Sequence, residues 1–491
     1  MMRATSNWLQ MHARFRPQTQ AVLDVDGGRA WTYAELYQDS LKWAGLLHRN
    51  KVGPGDVVSL LSCNRGEHFA LLFACAELGA IFAPMNWRLS PAELAWQLQH
   101  ADSKLLITSS CMRDTLGRSD LGRPSLALEA GPGTELFQGA HSPEPGEPWI
   151  LMYTSGTTGK PKGALLTHGQ LHWNAVNTTL ACELTPQDST LTFTPLFHTG
   201  GLNCLSTPLL HRGGRVVLTE KVDAEQALHL IEKEGITLLM GVPTIYQMLA
   251  EHPHFAGTDC HSVRDALCGG APTGQSLLQT YAERDIPLRQ GFGMTEVGPN
   301  CFSLPPERIQ DKLGSVGQVI HHMAARLVDP QGQPVPIGTP GELQLSGPAV
   351  FGGYLKDPQA TAAAFDGPWF KTGDILSCDA EGFFSVCGRS KEMFISGAEN
   401  VYPAEIEAAL LQCSKVANAA VIGVPDPRWG EVGQAFIEPR AGQPLSEQEL
   451  RAHLSPILAR YKLPKRYVVQ ADLPRTASGK IDKQALRQLT L

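Results

Sequence analysis

Trp149-Ile150-Leu151-Met152-Tyr153-Thr154-Ser155-Gly156-Thr157-Thr158-Gly159-Lys160-Pro161-Lys162-Gly163 joins an apolar run to a stretch of glycines, hydroxyls and lysines. Residues 149–152 have the composition of a buried strand. The glycines that follow let the backbone curl until several N–H groups converge on an anion. Four hydroxyls (Thr154, Ser155, Thr157, Thr158) add donors for phosphate oxygens or water-mediated metal contacts, and Lys160 and Lys162 supply positive charge. A Walker A loop needs four residues between its glycines and then Lys-Ser/Thr. Here two residues separate Gly156 from Gly159, and Pro161 follows Lys160, so that motif is absent. The competing reading is a flexible Ser/Thr/Gly linker, which needs neither a preceding buried strand nor two lysines.

Outward from this loop, segments rich in Leu, Ala and Glu alternate with short Val/Ile/Leu runs through the first 300 residues. Strand-like 215–218, helix-like 223–233 and strand-like 236–240 follow one another, which implies crossover units and a largely parallel sheet. From about residue 311, Asp329-Pro330-Gln331-Gly332 and a series of prolines and glycines punctuate short alternating runs such as Glu342-Leu343-Gln344-Leu345. That is turn chemistry between short strands, and predicts a small antiparallel, barrel-like β region. Beyond Gly388-Arg389 the texture changes again, with helical spacing over 405–411, a strand-like 419–424 and a helix over 447–454. The expected architecture is a large α/β N-terminal domain, 1–388, and a smaller α+β C-terminal domain, 389–491.

The 491 residues amount to about three domains' worth of chain. A formal net charge of −7 argues against a dedicated nucleic-acid binder, which carries a basic excess. Eleven cysteines without a Cys-x-x-Cys pair read as buried, reduced thiols of a cytoplasmic protein rather than a disulfide framework. The opening residues lead into no apolar segment of signal-peptide length. The longest apolar stretch, 69–84, is broken by Glu77 and Gly79 and falls short of the ~20 residues that span a bilayer, so it reads as a buried helix followed by a strand and no transmembrane segment is expected.

The loop 153–163 resembles the phosphate loop of the adenylate-forming superfamily, which includes acyl-CoA synthetases, peptide-synthetase adenylation domains and firefly luciferase. Further motifs of that family follow in order: Gly269-Gly270-Ala271-Pro272-Thr273, Gln290-Gly291-Phe292-Gly293-Met294-Thr295-Glu296, Thr372-Gly373-Asp374, Gly388-Arg389-Ser390-Lys391 and Pro474-Arg475-Thr476-Ala477-Ser478-Gly479-Lys480. The resemblance implies that ATP is held by Thr154, Ser155, Gly156, Thr157, Thr158, Gly159, Lys160, Gly270, Ala271, Pro272, Gly291, Phe292, Gly293, Met294, Thr295, Asp374, Arg389 and Lys480. Glu296 is a hard carboxylate of the kind that holds Mg²⁺, and the family implies that Thr154 joins it. Asp374 offers two acceptor oxygens for the two ribose hydroxyls, and Arg389 donates to the same sugar. Phe292, between two glycines, suggests a ring stacked on adenine.

The resemblance further implies that Lys480 enters the site for adenylation, that Lys391 is the hinge, and that Gly397, Ala398 and Glu399 approach the thiol of coenzyme A. Many relatives carry a glycine where this chain has Ala398. Lys480, His198 and Thr295 are the implied catalytic residues. Phe197, His198 and Gly201, in Thr194-Pro195-Leu196-Phe197-His198-Thr199-Gly200-Gly201-Leu202, resemble the lining of the acid's entry; His198 either orients the carboxylate or packs beside it. No aspartate occurs between Asp188 and Asp223 to hold an ammonium group, so an amino-acid substrate is disfavoured. The implied reaction is activation of a fatty or aryl carboxylic acid by Mg·ATP to an acyl-adenylate, followed by thioester formation with coenzyme A. Alternatives are an acyl-AMP ligase that loads a carrier protein, and an inactive acyl- or nucleotide-binding relative. Retention of Glu296, Asp374, Arg389 and Lys480 together speaks against the latter. A homodimer is compatible with the sequence. His168 and His172, four apart, lack an evident third metal ligand and read as packing or surface residues.

Overall fold

Every residue from His68 to Leu78 is buried, so the helix Glu67–Leu78 has no polar face and must lie inside the molecule. It ends at Gly79, whose left-handed φ of 68° suits a glycine C-cap, and the chain turns directly into the strand Ile81–Pro84. In this computed structural model the described residues are 7–112, 121–139, 141–154, 161–270, 273–396, 399–427, 429–476 and 480–489. The helix packs on Tyr33–Arg49 and on the strand Pro148–Thr154. Tyr33–Arg49 is fixed at its start by a capping box between Thr32 and Glu35. Trp8, Phe73 and Trp149 close this core in edge-to-face contacts at 5.4–5.8 Å.

Two seven-stranded sheets, largely parallel, carry the first 300 residues. One runs Leu288–Gln290, Asp265–Cys268, Leu238–Gly241, Ser189–Thr192, Arg215–Leu218, Gln20–Asp24, Arg29–Thr32. The other runs Gly353–Tyr354, Lys162–Thr167, Pro148–Thr154, Ile81–Pro84, Val57–Leu61, Ser103–Thr108, Ser125–Ala127. The strand before the phosphate-type loop is therefore Pro148–Thr154. The chain then returns antiparallel as Lys162–Thr167, with Thr154 opposite Lys162, a reversal not legible in the sequence.

Residues from Phe302 onward form a seven-stranded sheet, including Trp369–Cys378 and Phe384–Arg389, whose strands pair antiparallel. The last sheet joins Glu399–Val401, Phe394–Ser396, Gly430–Pro439, Val416–Asp426 and Arg466–Val469, and encloses its own apolar core with the helices Pro403–Leu411 and Glu447–Leu454. Among the described residues no helix is long and apolar enough to cross a membrane. All eleven cysteines are free; seven are buried and four half-buried.

A buried ion pair ties these layers together. Arg289, 2% exposed, donates to Asp265 at 2.7 and 2.5 Å, to Ser303 Oγ at 2.7 Å and to the Leu304 carbonyl at 2.8 Å. It links two neighbouring strands of one sheet to the chain entering the next. Removing one partner of such a pair typically costs ~3–5 kcal/mol.

His168 and His172 lie on the helix His168–Ala181, and both pack. His168 stacks on Trp149 at 4.7 Å, and His172 meets His211 at 5.3 Å. Burial lowers the pKa of His68 to about 4 and those of His168 and His211 to about 3, against 6.5 for a free imidazole. A depressed histidine contributes stability above pH 6.5 and loses it as pH falls through the folded value. The stability gap between the native chain and His168→Gln should therefore narrow between pH 6.5 and 4, by on the order of a few kcal/mol. Denaturation midpoints across that range check this, and a constant gap would contradict it.

Candidate active site

The strands Pro148–Thr154, Asp265–Cys268 and Leu288–Gln290 deliver Thr154, Gly269-Gly270 and Gly291-Phe292 at their carboxyl ends. Open parallel sheets place ligands there. Gln290 locks the last two loops together: Thr273 N–H donates to its Oε1 at 2.8 Å, and its Nε2 donates to the Gly291 carbonyl at 3.1 Å. The loop then folds tightly on itself, so that a Cβ on Gly293 would stand 1.9 Å from the Pro299 carbonyl oxygen. The Phe292 ring meets Phe302 edge-on at 5.7 Å and is half-buried.

Glu296, 9% exposed, lies on the short turn Thr295–Val297. Thr154 Oγ1 approaches its Oε1 at 3.5 Å, and the Tyr354 hydroxyl donates to the same oxygen at 3.1 Å. Gln170, at the start of the helix after Lys162–Thr167, donates to the Thr295 carbonyl at 3.2 Å. Burial pushes the Glu296 carboxyl above its usual range, against its hydrogen bonds and the charge of Arg389. A buried carboxylate with a hydroxyl oxygen beside it is a donor set suited to a hard divalent cation such as magnesium. Tyr354 and Gln170 carry no local signal in the sequence and were not legible there.

Asp374 and Arg389 are cross-strand partners in the third sheet, joined by a 3.1 Å hydrogen bond from Nε. Asp374 is buried whereas the Arg389 side chain is 57% exposed, so the guanidinium reaches outward from an anchored carboxylate. Burial raises the Asp374 pKa, while Arg389 and Lys480 hold it down. Lys480 arrives from the chain's far end and lies beside Gly270. A Cβ added to that glycine, whose φ is +83°, would stand 3.9 Å from Nζ. Lys480 keeps contact with solvent. The protein around it, and then Arg389, lower its pKa, and Asp374 opposes them.

On the other side of Lys480 lies His198. Burial first, then the charges of Lys480 and Arg88, lower the His198 pKa to about 4, and its Nε2 is buried without a hydrogen-bond partner. A neutral ring with one unsatisfied nitrogen, flanked by two cations, is equipped to meet a carboxylate. Phe197 tilts against His198 at 4.5 Å and meets Trp87 edge-on at 6.4 Å, with Arg88 over the Trp87 ring at 5.0 Å. Trp87 and Arg88 are additions to the residues read from the sequence. The loop is hung on Asn64, which donates to the Thr194 and Thr219 carbonyls at 3.0 and 3.1 Å and accepts from Leu196 N–H at 2.9 Å. After His198 the helix Thr199–Gly201 runs into a π-helical turn, Leu202–Ser206, a departure frequent at functional sites.

Met294 and Thr295 are half-buried in the same loop. Lys391 is exposed in the turn between Phe384–Arg389 and Phe394–Ser396. Glu399 opens the strand Glu399–Val401, its backbone paired with Ser396. Of the other residues singled out from the sequence, 155–160, 271–272 and 397–398 lie outside the described residues.

A buried oxygen pair within the field of Arg389, an acid–guanidinium couple, and a lysine whose charge reaches both Asp374 and His198 are the equipment of a nucleotide-activating enzyme. The chain belongs to the AMP-binding enzyme family, whose pattern matches residues 9–355, and the C-terminal domain of that family matches residues 405–480. It is 41% identical to a feruloyl-CoA synthase from Amycolatopsis sp over 98% of both chains. To an indoleacetate–CoA ligase from Aromatoleum aromaticum it is 39% identical, over 99% of this chain and 98% of the other. The solved structure of O-succinylbenzoate coenzyme A synthetase from Bacillus subtilis, in complex with ATP and a magnesium ion, superposes with a TM-score of 0.88 at 32% identity, covering 98% of this chain and 99% of that one.

Two neighbouring glycines test the packing of the loop that bears Phe197 and His198. A Cβ on Gly201 would stand 2.3 Å from the Pro195 carbonyl oxygen, whereas one on Gly200 would meet only the flexible tip of Met240 at 3.1 Å. Gly201→Ala should lower stability by about 1–3 kcal/mol, and Gly200→Ala by clearly less. Denaturant midpoints of the two variants decide it, and equal losses would count against this packing.

Proposed function

We propose that this enzyme activates an aryl carboxylic acid with ATP, releasing pyrophosphate, and transfers the acyl group to the thiol of coenzyme A. The observation that carries this is the convergence of Thr154 with Glu296, of Asp374 with Arg389, and of Lys480 beside His198 on one cleft. An oxygen of the acid attacks the α-phosphorus, and the bond from that phosphorus to the pyrophosphate oxygen breaks. Positioning and electrostatics dominate such chemistry. Asp374 accepts from the ribose hydroxyls, Arg389 donates to the sugar, Phe292 flanks the base, and Gly270, Gly291, Gly293, Met294 and Thr295 line the nucleotide. Glu296 and Thr154 would hold magnesium, which when bound neutralises charge on the phosphates. Lys480, aimed at the charge that develops between carboxylate and α-phosphate, contributes ~3–4 kcal/mol. His198 orients the acid through its unsatisfied nitrogen.

In the second half-reaction, the C-terminal domain turns about Lys391, withdrawing Lys480 and bringing 397–399 toward the thiol. The thiolate attacks the acyl carbonyl, and AMP leaves. The aryl assignment draws on the ring wall of Trp87, Phe197 and His198 and on the relatives' names, which include feruloyl and indoleacetate acids.

A pyrophosphate-release assay with hydroxycinnamic, indoleacetic and straight-chain fatty acids tests this. Aryl acids should give the highest turnover. Preference for fatty acids would overturn the aryl assignment, and cleavage of ATP between β and γ would overturn the reaction. Lys480→Ala should slow adenylate formation by ~10²–10³ while largely sparing thioester formation from preformed acyl-adenylate. Equal loss of both half-reactions would refute the exchange of roles.

A further inference from the structure

Cys63 ends its strand's exit toward Asn64, Cys111 lies in the short turn Ser110–Met112, and Glu220 follows Thr219 at the end of another strand. The fold brings these three residues together: the two sulfurs and a carboxylate oxygen all lie within 4.8 Å of one another. The centre of such a triangle is at most about 2.8 Å from each atom, and zinc–thiolate bonds are about 2.3 Å. Shifts of a few tenths of an ångström would therefore close the three ligands on one ion.

We propose that Cys63, Cys111 and Glu220 form a binding site for a thiophilic divalent cation of the zinc class, separate from the oxygen-lined site at Glu296. Sulfur donors select zinc-like ions over magnesium or calcium. Cys111 Sγ already accepts a hydrogen bond from the Cys63 N–H at 3.3 Å and lies 2.7 Å from Ser109 Oγ, contacts that orient a thiolate ligand from outside the metal's shell. Arg65 approaches the Glu220 carboxylate at 3.4 Å through Oε2, and a carboxylate has a second oxygen with which to bind an ion. With both thiols deprotonated, the three ligands carry three negative charges, and Arg65, which also faces Asp24 at 3.8 Å, offsets them only in part, so the site favours a cation. On binding, the thiol protons pass to solvent. Three protein ligands leave a fourth position for water.

The site lies behind the acid-side loop. Asn64, next to Cys63, hydrogen-bonds Thr194, Leu196 and Thr219, and Glu220 is the residue after Thr219. Cys63 and Cys111 also border the apolar cluster that contains Trp87, which packs on Phe197. A bound cation would cross-link the supports of that loop, so occupancy should raise thermal stability.

The test uses full-length protein, reduced and stripped of metal by chelation, titrated with cobalt(II). Native protein should develop a sulfur-to-cobalt charge-transfer band saturating at one equivalent, and its melting temperature should rise. Cys111→Ser, at a half-buried turn, should lose both responses, and Glu220→Gln should weaken binding by roughly tenfold or more. Cys413→Ser, far from the cluster in sequence, should behave as native, and circular dichroism verifies that each variant is folded. An absent band in native protein, an equal band in Cys111→Ser, or the loss of two titratable thiols to a disulfide before metal is added would each overturn the site.

Discussion

Glu296 holds a carboxylate where water barely reaches, in contact with the hydroxyls of Thr154 and Tyr354. Ionising a carboxylate in such surroundings is unfavourable unless a cation compensates it, which is why its pKa lies above the ordinary range. Much of the nucleotide half is organised around that constraint. The end of Pro148–Thr154, the turn Thr295–Val297 and the strand Gly353–Tyr354 meet at one oxygen atom. Main-chain bonds reinforce the meeting point: Phe351 N–H donates to the Glu296 carbonyl at 2.7 Å, and Gln170 holds the carbonyl of the preceding residue. The carboxyl group is thus fixed in place before any ligand arrives, and a preorganised group need not be reoriented when its partner binds.

The rest of the cleft follows a different logic. Asp374 is anchored by its sheet, and Arg389 reaches from it into solvent. Lys480 comes from a region that also touches the N-terminal part through Arg440 and Glu251, an exposed ion pair at 3.2 Å. Such pairs contribute ~0–1 kcal/mol. By contrast, Lys483 is half-buried and bonded to both Glu392 and Glu407 at 2.5 and 2.8 Å, within the C-terminal part itself. The segment bearing Lys480 is therefore bound more firmly to its own sheet than to the cleft it enters, as the proposed rotation requires.

The chemistry-bearing motifs were legible because each is contiguous. Thr154, Asp374, Arg389 and Glu296 occur in short strings whose glycines and charges stand out from any helix or strand pattern. Local periodicity also found 215–218 and 447–454 with the bounds seen in the structure. The helix begins at Pro403, two residues earlier than its apolar spacing suggested, because proline suits the first helical position. What stayed hidden is tertiary. Alternating helices and strands imply parallel pairing, but not which strands pair, so the division into two sheets and the return of Lys162–Thr167 were not legible. Tyr354, Gln170, Asn64 and Arg88 are ordinary residues in ordinary strings, and matter only for what the fold sets opposite them. Cys63 and Cys111, 48 residues apart, belong to the same group.

The bonds by which Asn64 suspends the acid-side loop all end on peptide groups: the carbonyls of Thr194 and Thr219 and the amide of Leu196. At these three points the path of that segment is held without reference to its side chains. On the proposed reading, a substitution at 197 would reshape the wall facing the acid while these main-chain anchors stay in place. If Phe197 faces the acid as proposed, a lineage, or an engineer, would explore new acids by exchanging the ring on a fixed rail, with Thr154 and Glu296 left untouched.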